Sequence, residues 1–445
     1  MISIAHKIEL KPNNKQKTYF RKAFGCARLA YNWGLAEWQR QYKEGGKPSV
    51  YALKRQFNAI KREQFPFVYE VTKYASQQPF LDLQDAFSRF FKKQNRYPQF
   101  KKKKDNEGSF YIGGDQVKLS FTNTNTKAFK KLVHNEKFKH QYLKVPNLGC
   151  VKMTECVRFN GKISGVTISQ RGNKFYASFS ILITEEEYLR THPKANKPKN
   201  RSVGIDLGIK DALILSDGIT IKNPKPLYKA QRKLKRLQRQ LSKLVHAKTK
   251  QERLQGVAKS NNYRELSLKV SRAMHKVANV RRNFINKVTT ILTTNYKEIS
   301  METLRVQNMM KNHRLARSIA DVSFYEIQRQ IEYKAAYNGV KVTKADQWYA
   351  SSQLCHSCGY KNIAVKNLDI RKWTCPQCGT HNHRDFNAAM NLRSLIHHKQ
   401  IGTDDPEFTP ADLTALLLLF SNNGIATSKV ETGKSTLSGV LTLDL

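Results

Sequence analysis

Apolar residues recur at helical spacing through the first hundred positions. Phe20, Phe24, Tyr31, Leu35 and Trp38 step along one helix face, and Gly45-Gly46 followed by Pro48 ends the run. The pattern predicts a helix from about Asn14, a second over Ser49 to Glu63 and a third from Thr72 to Lys93, closing on the basic string KKQNRYPQFKKKK. The period then shortens to two. Lys162 to Gln170 and Lys174 to Thr184 alternate as strands do, with Arg171, Gly172 and Asn173 turning between them. A mainly β module is therefore expected over about 105–185. Thr184 to Asn200, with three consecutive glutamates and two prolines, reads as a linker.

RSVGIDLGIKDALILSDGITI next predicts a strand, a short connection and a second strand ending at the Asp217-Gly218 turn. Two long amphipathic helices follow. Leu227, Ala230, Leu234, Leu237, Leu241 and Leu244 form a heptad-like seam on the first; Leu266, Val270, Ala273, Val277, Val280 and Phe284 do so on the second. The two are expected to pair as an antiparallel hairpin. Lys229, Arg232, Lys233, Lys235, Arg236, Arg239 and Lys243 cover the outer face of the first. Such a face can be merely solvated; its one sign points to phosphate contact. A strand at Glu298 to Met301, a helix near Ser323 to Asn338, a strand at Val340 to Ala345, a cysteine cluster and a helix from Asp385 to about His398 complete the order.

Length and charge narrow the class. A chain of 445 residues is enough for two to four domains. Lys and Arg number 79 against 34 Asp and Glu, a formal charge of +45 that calls for a polyanionic partner. Nucleic acid comes first and an anionic membrane surface second. The longest apolar run, Leu413 to Phe420, is far short of the roughly 20 residues of a spanning helix, and the N-terminus lacks the apolar stretch of a signal peptide. No membrane partner is expected, and the default location is cytoplasmic. The last 45 residues change character: six acids against two lysines leave −4, so the first 400 carry +49. That tail, 401–445, is expected to be acidic and weakly ordered.

Seven cysteines without secretory features argue against a disulfide framework. Cys26, Cys150 and Cys156 are scattered and read as small reduced hydrophobes. Cys355-His-Ser-Cys358 and Cys375-Pro-Gln-Cys378, sixteen residues apart, have the spacing of a four-thiolate zinc ribbon. Gly359 and Gly379 follow each pair where a knuckle turn takes positive φ. Four thiolates close the coordination shell, so the zinc is structural and His356, His381 and His383 are bystanders. Trp373 belongs either to the ribbon core or to a base-stacking platform.

Three carboxylates stand out. Asp206 lies inside the apolar strand VGIDLG, where an acid is costly unless paired or metal-bound. Glu302 follows the strand EISM, and Asp385 opens the helix DFNAAMNL, where it could simply cap the helix. Carboxylates on a rigid scaffold are what two-metal phosphodiester hydrolysis requires, with magnesium or manganese as the hard cation.

At these residues the sequence resembles TnpB (OrfB), the insertion-sequence-encoded nuclease family related to the miniature type V CRISPR effectors. The resemblance spans about residues 1–400: KIELKPNNKQKTYFRKAFGCARLAYN, YPQFKKKK, VGIDLGIKDALILSDG, ANVRRNFINKVTTIL, EISMETLRVQNMMKN, IEYKAAYNGVKVTKADQWYASSQLCHSCG and CPQCGTHNHRDFNAAMNL. It implies an α+β multidomain chain. An RNase H-like RuvC nuclease domain (199–354 and 384–400) carries the zinc ribbon (355–383) as an insert. A β-barrel wedge domain (1–10 and 105–198) carries a helical recognition insert (11–104). Asp206, Glu302 and Asp385 become the catalytic metal-binding carboxylates, and Cys355, Cys358, Cys375 and Cys378 the zinc ligands. The implied activity is RNA-guided cleavage of double-stranded DNA beside a short motif. The guide RNA would come from the transposon end, and a prokaryotic monomer would bind one RNA. Lys101, Lys102, Lys103 and Lys104, with Lys229, Arg232, Lys233, Arg236 and Arg239, are the candidate nucleic-acid contacts. Arg384 could steady the scissile phosphate or make a fold-stabilising ion pair. The linker VHAKTKQERLQGVAKSNNYRE departs from the stretch the family often shows there. The rival readings are a guided DNA-binding regulator that does not cut and a direct transposase.

Overall fold

The computed structural model describes residues 1–103, 107–121, 141–193, 201–244, 260–367, 369–397 and 410–429. It divides into two compact units, Met1–Thr191 with Leu237–His275 and His192–Arg236 with Lys276–Leu445.

The first unit opens with strand β1 (Ile2–Lys11) and helices α1 (Asn14–Lys43), α2 (Val50–Gln64) and α3 (Tyr74–Phe91). Asn13 and Gln16 start α1 with a reciprocal capping box, Gln16 N–H to Asn13 Oδ1 at 2.9 Å and Asn13 N–H to Gln16 Oε1 at 3.0 Å. Aromatic rings lock the three helices: Trp33 against Phe57 at 5.2 Å, Phe57 against Phe80 at 5.5 Å, and Trp38 stacked on Phe87 at 4.0 Å. The chain continues through β2 (Glu107–Gly113), β3 (Lys118–Ser120), β4 (Tyr142–Val145), β5 (Gly149–Met153), β6 (Lys162–Arg171) and β7 (Lys174–Ile183). With β1 these form an antiparallel sheet in the order β2-β6-β7-β1-β5-β4-β3, with β2 and β3 at its two ends among the described residues. The hairpin β6–β7 turns at Gly172, whose φ is +63°. Phe20 of α1 meets Phe110 and Phe175 of the sheet at 5.9 and 5.5 Å.

Part of the stretch expected as linker is a helix, α4 (Glu185–Thr191). Thr184 Oγ1 accepts the Glu187 N–H at 3.2 Å, and Tyr188 is buried. The glutamates that suggested linker polarity form the acidic first turn, where the helix dipole favours them.

The second unit is built on a six-stranded sheet. Its strands are β8 (Ser202–Leu207), β9 (Asp211–Leu215), β10 (Ile219–Lys222), β11 (Glu298–Met301), β12 (Lys341–Lys344) and β15 (Thr427–Lys429), in the order β12-β11-β8-β9-β10-β15. The strand β8 runs parallel to β11 and β11 to β12, while β8–β9–β10 is an antiparallel meander that β15 extends. Beyond the Asp217-Gly218 turn the chain thus returns as a third strand. Helices α5 (Pro226–Lys243) and α6 (Asn261–Asn295) follow β10 in sequence. After β11 come α7 (Ala316–Val322) and α8 (Phe324–Tyr337). The short hairpin β13 (Lys372–Thr374) and β14 (His381–His383) then leads into α9 (Arg384–His397). Val203, Ile205, Leu213, Ile291, Ile299 and Phe324 sit in one buried core. Asp321, itself buried, accepts the N–H groups of Leu227 and Tyr228 and a guanidinium N–H of Arg281, fixing the start of α5.

The tail needs correction. Residues 410–429 form helix α10 (Pro410–Asn422) and strand β15, rather than a weakly ordered appendage. Leu416, Phe420 and Ile425 belong to the sheet's core, and Asp412 pairs with Arg201 at 2.5 Å. The acidic residues drew attention from the apolar face of Leu413, Leu416, Leu417 and Phe420, which has helical spacing. Among the described residues no helix is long and apolar enough to cross a membrane.

Candidate metal centres and nucleic-acid surface

Parallel strands deliver side chains to one edge of a sheet, and two of the three carboxylates arrive that way. Asp206 is the penultimate residue of β8, and Glu302 is the residue after β11. Asp385 stands in the first turn of α9. The close approach of α9 to β8 depends on Gly204. A Cβ there would fall 2.0 Å from the Ala389 carbonyl oxygen and 2.5 Å from the Arg393 nitrogen, both backbone atoms. No side chain fits, so the helix backbone lies directly on the strand two residues before Asp206.

The electrostatics follow from this placement. The Asp206 carboxyl is pushed well above the ordinary carboxylate range, first by burial and then by Glu302 and Asp385, with Arg384 and Arg371 partly opposing. Glu302 and Asp385 both act on Asp206 electrostatically, and the two guanidiniums oppose them only in part, whereas among the described residues the four cysteines are the group whose ligand atoms already stand within metal-binding reach of one another. A hard divalent cation suits the carboxylate donors.

Glu302 and Asp385 are also held in place. Ser351 Oγ donates to Glu302 Oε1 at 2.5 Å, and Gln328 Nε2 donates to the Glu302 carbonyl at 2.8 Å. One guanidinium nitrogen of Arg371 donates to both oxygens of Asp385 at 3.0 Å. Arg384 is buried and donates to the Asn367 carbonyl at 3.2 Å. Ser351, Gln328 and Arg371 escaped the sequence reading. Neither residue type nor spacing marks them, since each acts from a different element.

The four cysteines of the proposed ribbon form the second centre. Their ligand atoms all lie within 4.8 Å of one another, with Cys355–Cys378 and Cys358–Cys375 sulfurs 3.7 and 3.6 Å apart. Sulfurs bound to one tetrahedral zinc at about 2.3 Å would be about 3.8 Å apart, so the set fits zinc. The two knuckles match: Gly359 N–H donates to Cys355 O at 2.8 Å and Gly379 N–H to Cys375 O at 2.9 Å, with φ of +77° and +71°. Hydrogen bonds from Thr380 lower the Cys378 thiol, whereas at Cys358 a backbone hydrogen bond at Tyr360 is outweighed by desolvation and the neighbouring thiols, which raise it, so the four thiols share protons that a metal would displace. Trp373 packs in the ribbon core with Val365, Cys355 and Cys375. Two of the histidines have other partners, His356 Nδ1 bonding Asn382 and Asn387 and His381 Nδ1 bonding Thr374, while His383 Nδ1 is buried without a hydrogen-bond partner. Asn387 and Asn391 of α9 donate to the Leu354 carbonyl at 2.6 and 2.7 Å, and Asn391 also donates to the Ser351 carbonyl at 2.7 Å. The helix that carries Asp385 therefore also grips the segment leading into the first knuckle.

The basic residues divide. Lys229, Arg232, Lys233, Arg236 and Arg239 are all exposed along α5, while Leu234 and Leu237 are buried. Lys102 and Lys103 are exposed as well, and Lys104 lies outside the described residues. Lys101 is differently placed: its ammonium sits 3.9 Å from the Tyr31 ring centroid and 3.8 Å from Asp82, and its backbone bonds Asn32 in both directions. It braces α1 and α3.

Comparison with known proteins completes the picture. The family model of IS605 OrfB, described as "Probable transposase", matches residues 182–313, and the "Cas12f1-like, TNB domain" matches 324–392. A model described as "Helix-turn-helix domain" matches 1–47, where this chain forms one strand and one long helix. InsQ of Escherichia coli (strain K12), named as an RNA-guided DNA endonuclease, is 30% identical over 413 residues, 88% of this chain and 92% of that one. A similarly named protein of Streptomyces pristinaespiralis is 28% identical over 87% of this chain and 88% of its own. A cryo-EM structure of CasPhi-2 (Cas12j) bound to crRNA aligns over 92% of this chain and 99% of that one, at 10% identity and a TM-score of 0.42. With a relative at 30% identity aligned over nearly all its length, and OrfB and Cas12f1-like models matching in tandem, this chain belongs to the TnpB (IS605 OrfB) family, related to Cas12f.

Proposed function

We propose that the chain is a transposon-associated, RNA-guided DNA endonuclease that hydrolyses phosphodiesters at Asp206, Glu302 and Asp385. The observation that carries the reading is the placement of Asp206 and Glu302 at the same end of two parallel strands, with Gly204 seating the helix that carries Asp385 directly on β8. The sheet order, an antiparallel meander β8–β9–β10 beside parallel β11 and β12, supports an RNase H-like RuvC domain over 199–354 and 384–400. The seven-stranded sheet and its three helices support the wedge and recognition reading of 1–198. The names of the full-length relatives support guided cleavage.

Asp206, Glu302 and Asp385 would hold magnesium or manganese, which when bound activates water and stabilises the leaving oxygen. The chain's own part is to fix those donors. Gly204 seats α9 on β8, Ser351 orients Glu302, and Arg371 neutralises Asp385 before loading. The thiols of Cys355, Cys358, Cys375 and Cys378 would hold a structural zinc that keeps the ribbon folded. Lys102, Lys103 and the basic face of α5 are proposed phosphate contacts for a guide RNA from the transposon end and for target DNA, in a monomer with one RNA. The presence of all three acids favours cleavage over a purely DNA-binding regulator.

The test is purification with the flanking element co-expressed, sequencing of bound RNA, and magnesium-dependent cleavage beside Asp206→Ala. A discrete RNA with a variable 3′ end, and cutting that only the wild type performs, is the expected result. Heterogeneous RNA with no cutting would overturn the reading.

A further inference from the structure

The loop between β12 and the first cysteine knuckle carries a tryptophan that the fold does not use. Trp348 is 83% exposed, whereas Trp33 packs on Phe57, Trp38 stacks on Phe87 and Trp373 fills the ribbon core. An indole left in water gives up one of the largest available gains from burial, so its placement asks for a reason. The loop around it is fixed. Trp348 N–H donates to Asp346 Oδ1 at 2.8 Å, Tyr349 N–H donates to Asp346 O at 3.0 Å, and Tyr349 Oη donates to the Asn391 carbonyl at 3.3 Å. The indole is thus held out from an ordered turn.

Its position relates it to the carboxylates. β12 and β11 are parallel, so the loop leaves the same sheet edge as Glu302. Ala345 N–H donates to Met301 O at 2.9 Å, and Thr303 Oγ1 donates to Ala345 O at 2.7 Å, tying the segments on either side of Glu302 to the start of the loop. Three residues beyond Trp348, Ser351 donates to Glu302. A preorganised aromatic surface one short loop from phosphodiester-cleaving acids, on a chain of charge +45, suits an unpaired nucleobase.

We propose that Trp348 stacks on an unpaired base of the DNA strand whose phosphate lies at Asp206, Glu302 and Asp385, and so sets that strand's register for cutting. The inference rests on the nuclease reading above. It assigns the loop a binding role that needs no particular base, since every base offers a π face.

The experiment uses the guide-loaded full chain. The fluorescent adenine analogue 2-aminopurine is scanned through the nucleotides flanking the cut in the Asp206→Asn background. Stacking predicts quenching at one or two positions that is lost with Trp348→Ala and retained with Trp348→Tyr. In cleavage-competent protein, Trp348→Ala lowers the rate roughly fivefold to a hundredfold, the scale of one lost base–aromatic stack. An abasic nucleotide at the quenched position gives wild type the same loss and Trp348→Ala no further loss. Wild type that cuts with no position-specific quenching, or Trp348→Ala cutting at the wild-type rate, overturns the inference and leaves the nuclease reading intact. Position-specific quenching with no cutting by wild type supports the stack and overturns the nuclease reading instead.

Discussion

At Asp206 the proposed metal-binding role stands directly against stability. Its carboxyl holds a proton in the folded, metal-free chain that the unfolded chain releases near the ordinary carboxylate value. The group therefore favours folding below that value, and the contribution is lost as pH rises towards the raised folded one. Asp206→Asn removes the charged form altogether. Without added divalent metal, the variant should melt at a higher temperature than wild type at neutral pH, with less decline in stability above about pH 4. Calorimetry over a pH series checks this, and a midpoint at or below that of wild type throughout would count against the charged cluster. Arg371 presents the converse case. It occupies Asp385 and is about half exposed, so the ion pair competes only modestly with a cation. Arg371→Ala should bind Mn²⁺ more tightly by up to roughly fivefold at low ionic strength, measured by the loss of the free-ion electron paramagnetic resonance signal. Weaker binding would mean that Arg371 holds Asp385 in place for metal rather than shielding it.

Among the elements, the contact of β8 with α9 brings two distant stretches of sequence into one site, and Gly204 is its test. Gly204→Ala forces a methyl group against the backbone of Ala389 and Arg393, which cannot rotate away. Overpacking of this kind costs about 1–3 kcal/mol or more. Gly25 in α1 is the control. Nothing lies within 4 Å of its added Cβ, so Gly25→Ala should stabilise by about 0.5–1 kcal/mol through helix propensity. Urea unfolding of both variants separates the two effects, and an unperturbed Gly204→Ala would mean that the helix does not sit on the strand. The same contact explains what the sequence could convey. Local periodicity announced α1, the β6–β7 hairpin and the leucine seam of α5, because one face of each is buried. Cysteine spacing announced the knuckles for a similar reason, since each is complete within five residues. The bracing of Glu302 by Ser351, the pairing of Arg371 with Asp385 and the anchoring of α5 by Asp321 were not legible. They join residues 14 to 94 positions apart whose types have no marked preference for one another. The helix α10 was legible in its leucines and was lost to the charge count of the segment around it.

Across the whole molecule, the excess of 45 positive charges acts on the free chain and on its nucleic-acid complex with opposite sign. In the free protein, lysines and arginines repel one another over the surface, and added salt screens that repulsion. The melting temperature should therefore rise between low and moderate salt. Bound RNA reverses the balance. Neutralised phosphates have released their counterions, and salt drives those ions back, weakening the complex by about 10³–10⁵ between 50 and 200 mM if six to ten phosphates are contacted. Because binding stabilises the fold through mass action, the melting temperature of the RNA-loaded protein should fall over the same salt range. Neutralising Lys229, Arg232, Lys233, Arg236 and Arg239 on α5 tests where the charge acts. The variant should lose part of the salt dependence in both states, with the slope of log affinity against log salt smaller by nearly one for each phosphate contact removed. If the slope in the complex is unchanged while the free protein's response is blunted, α5 is a solvated face and the RNA is held elsewhere.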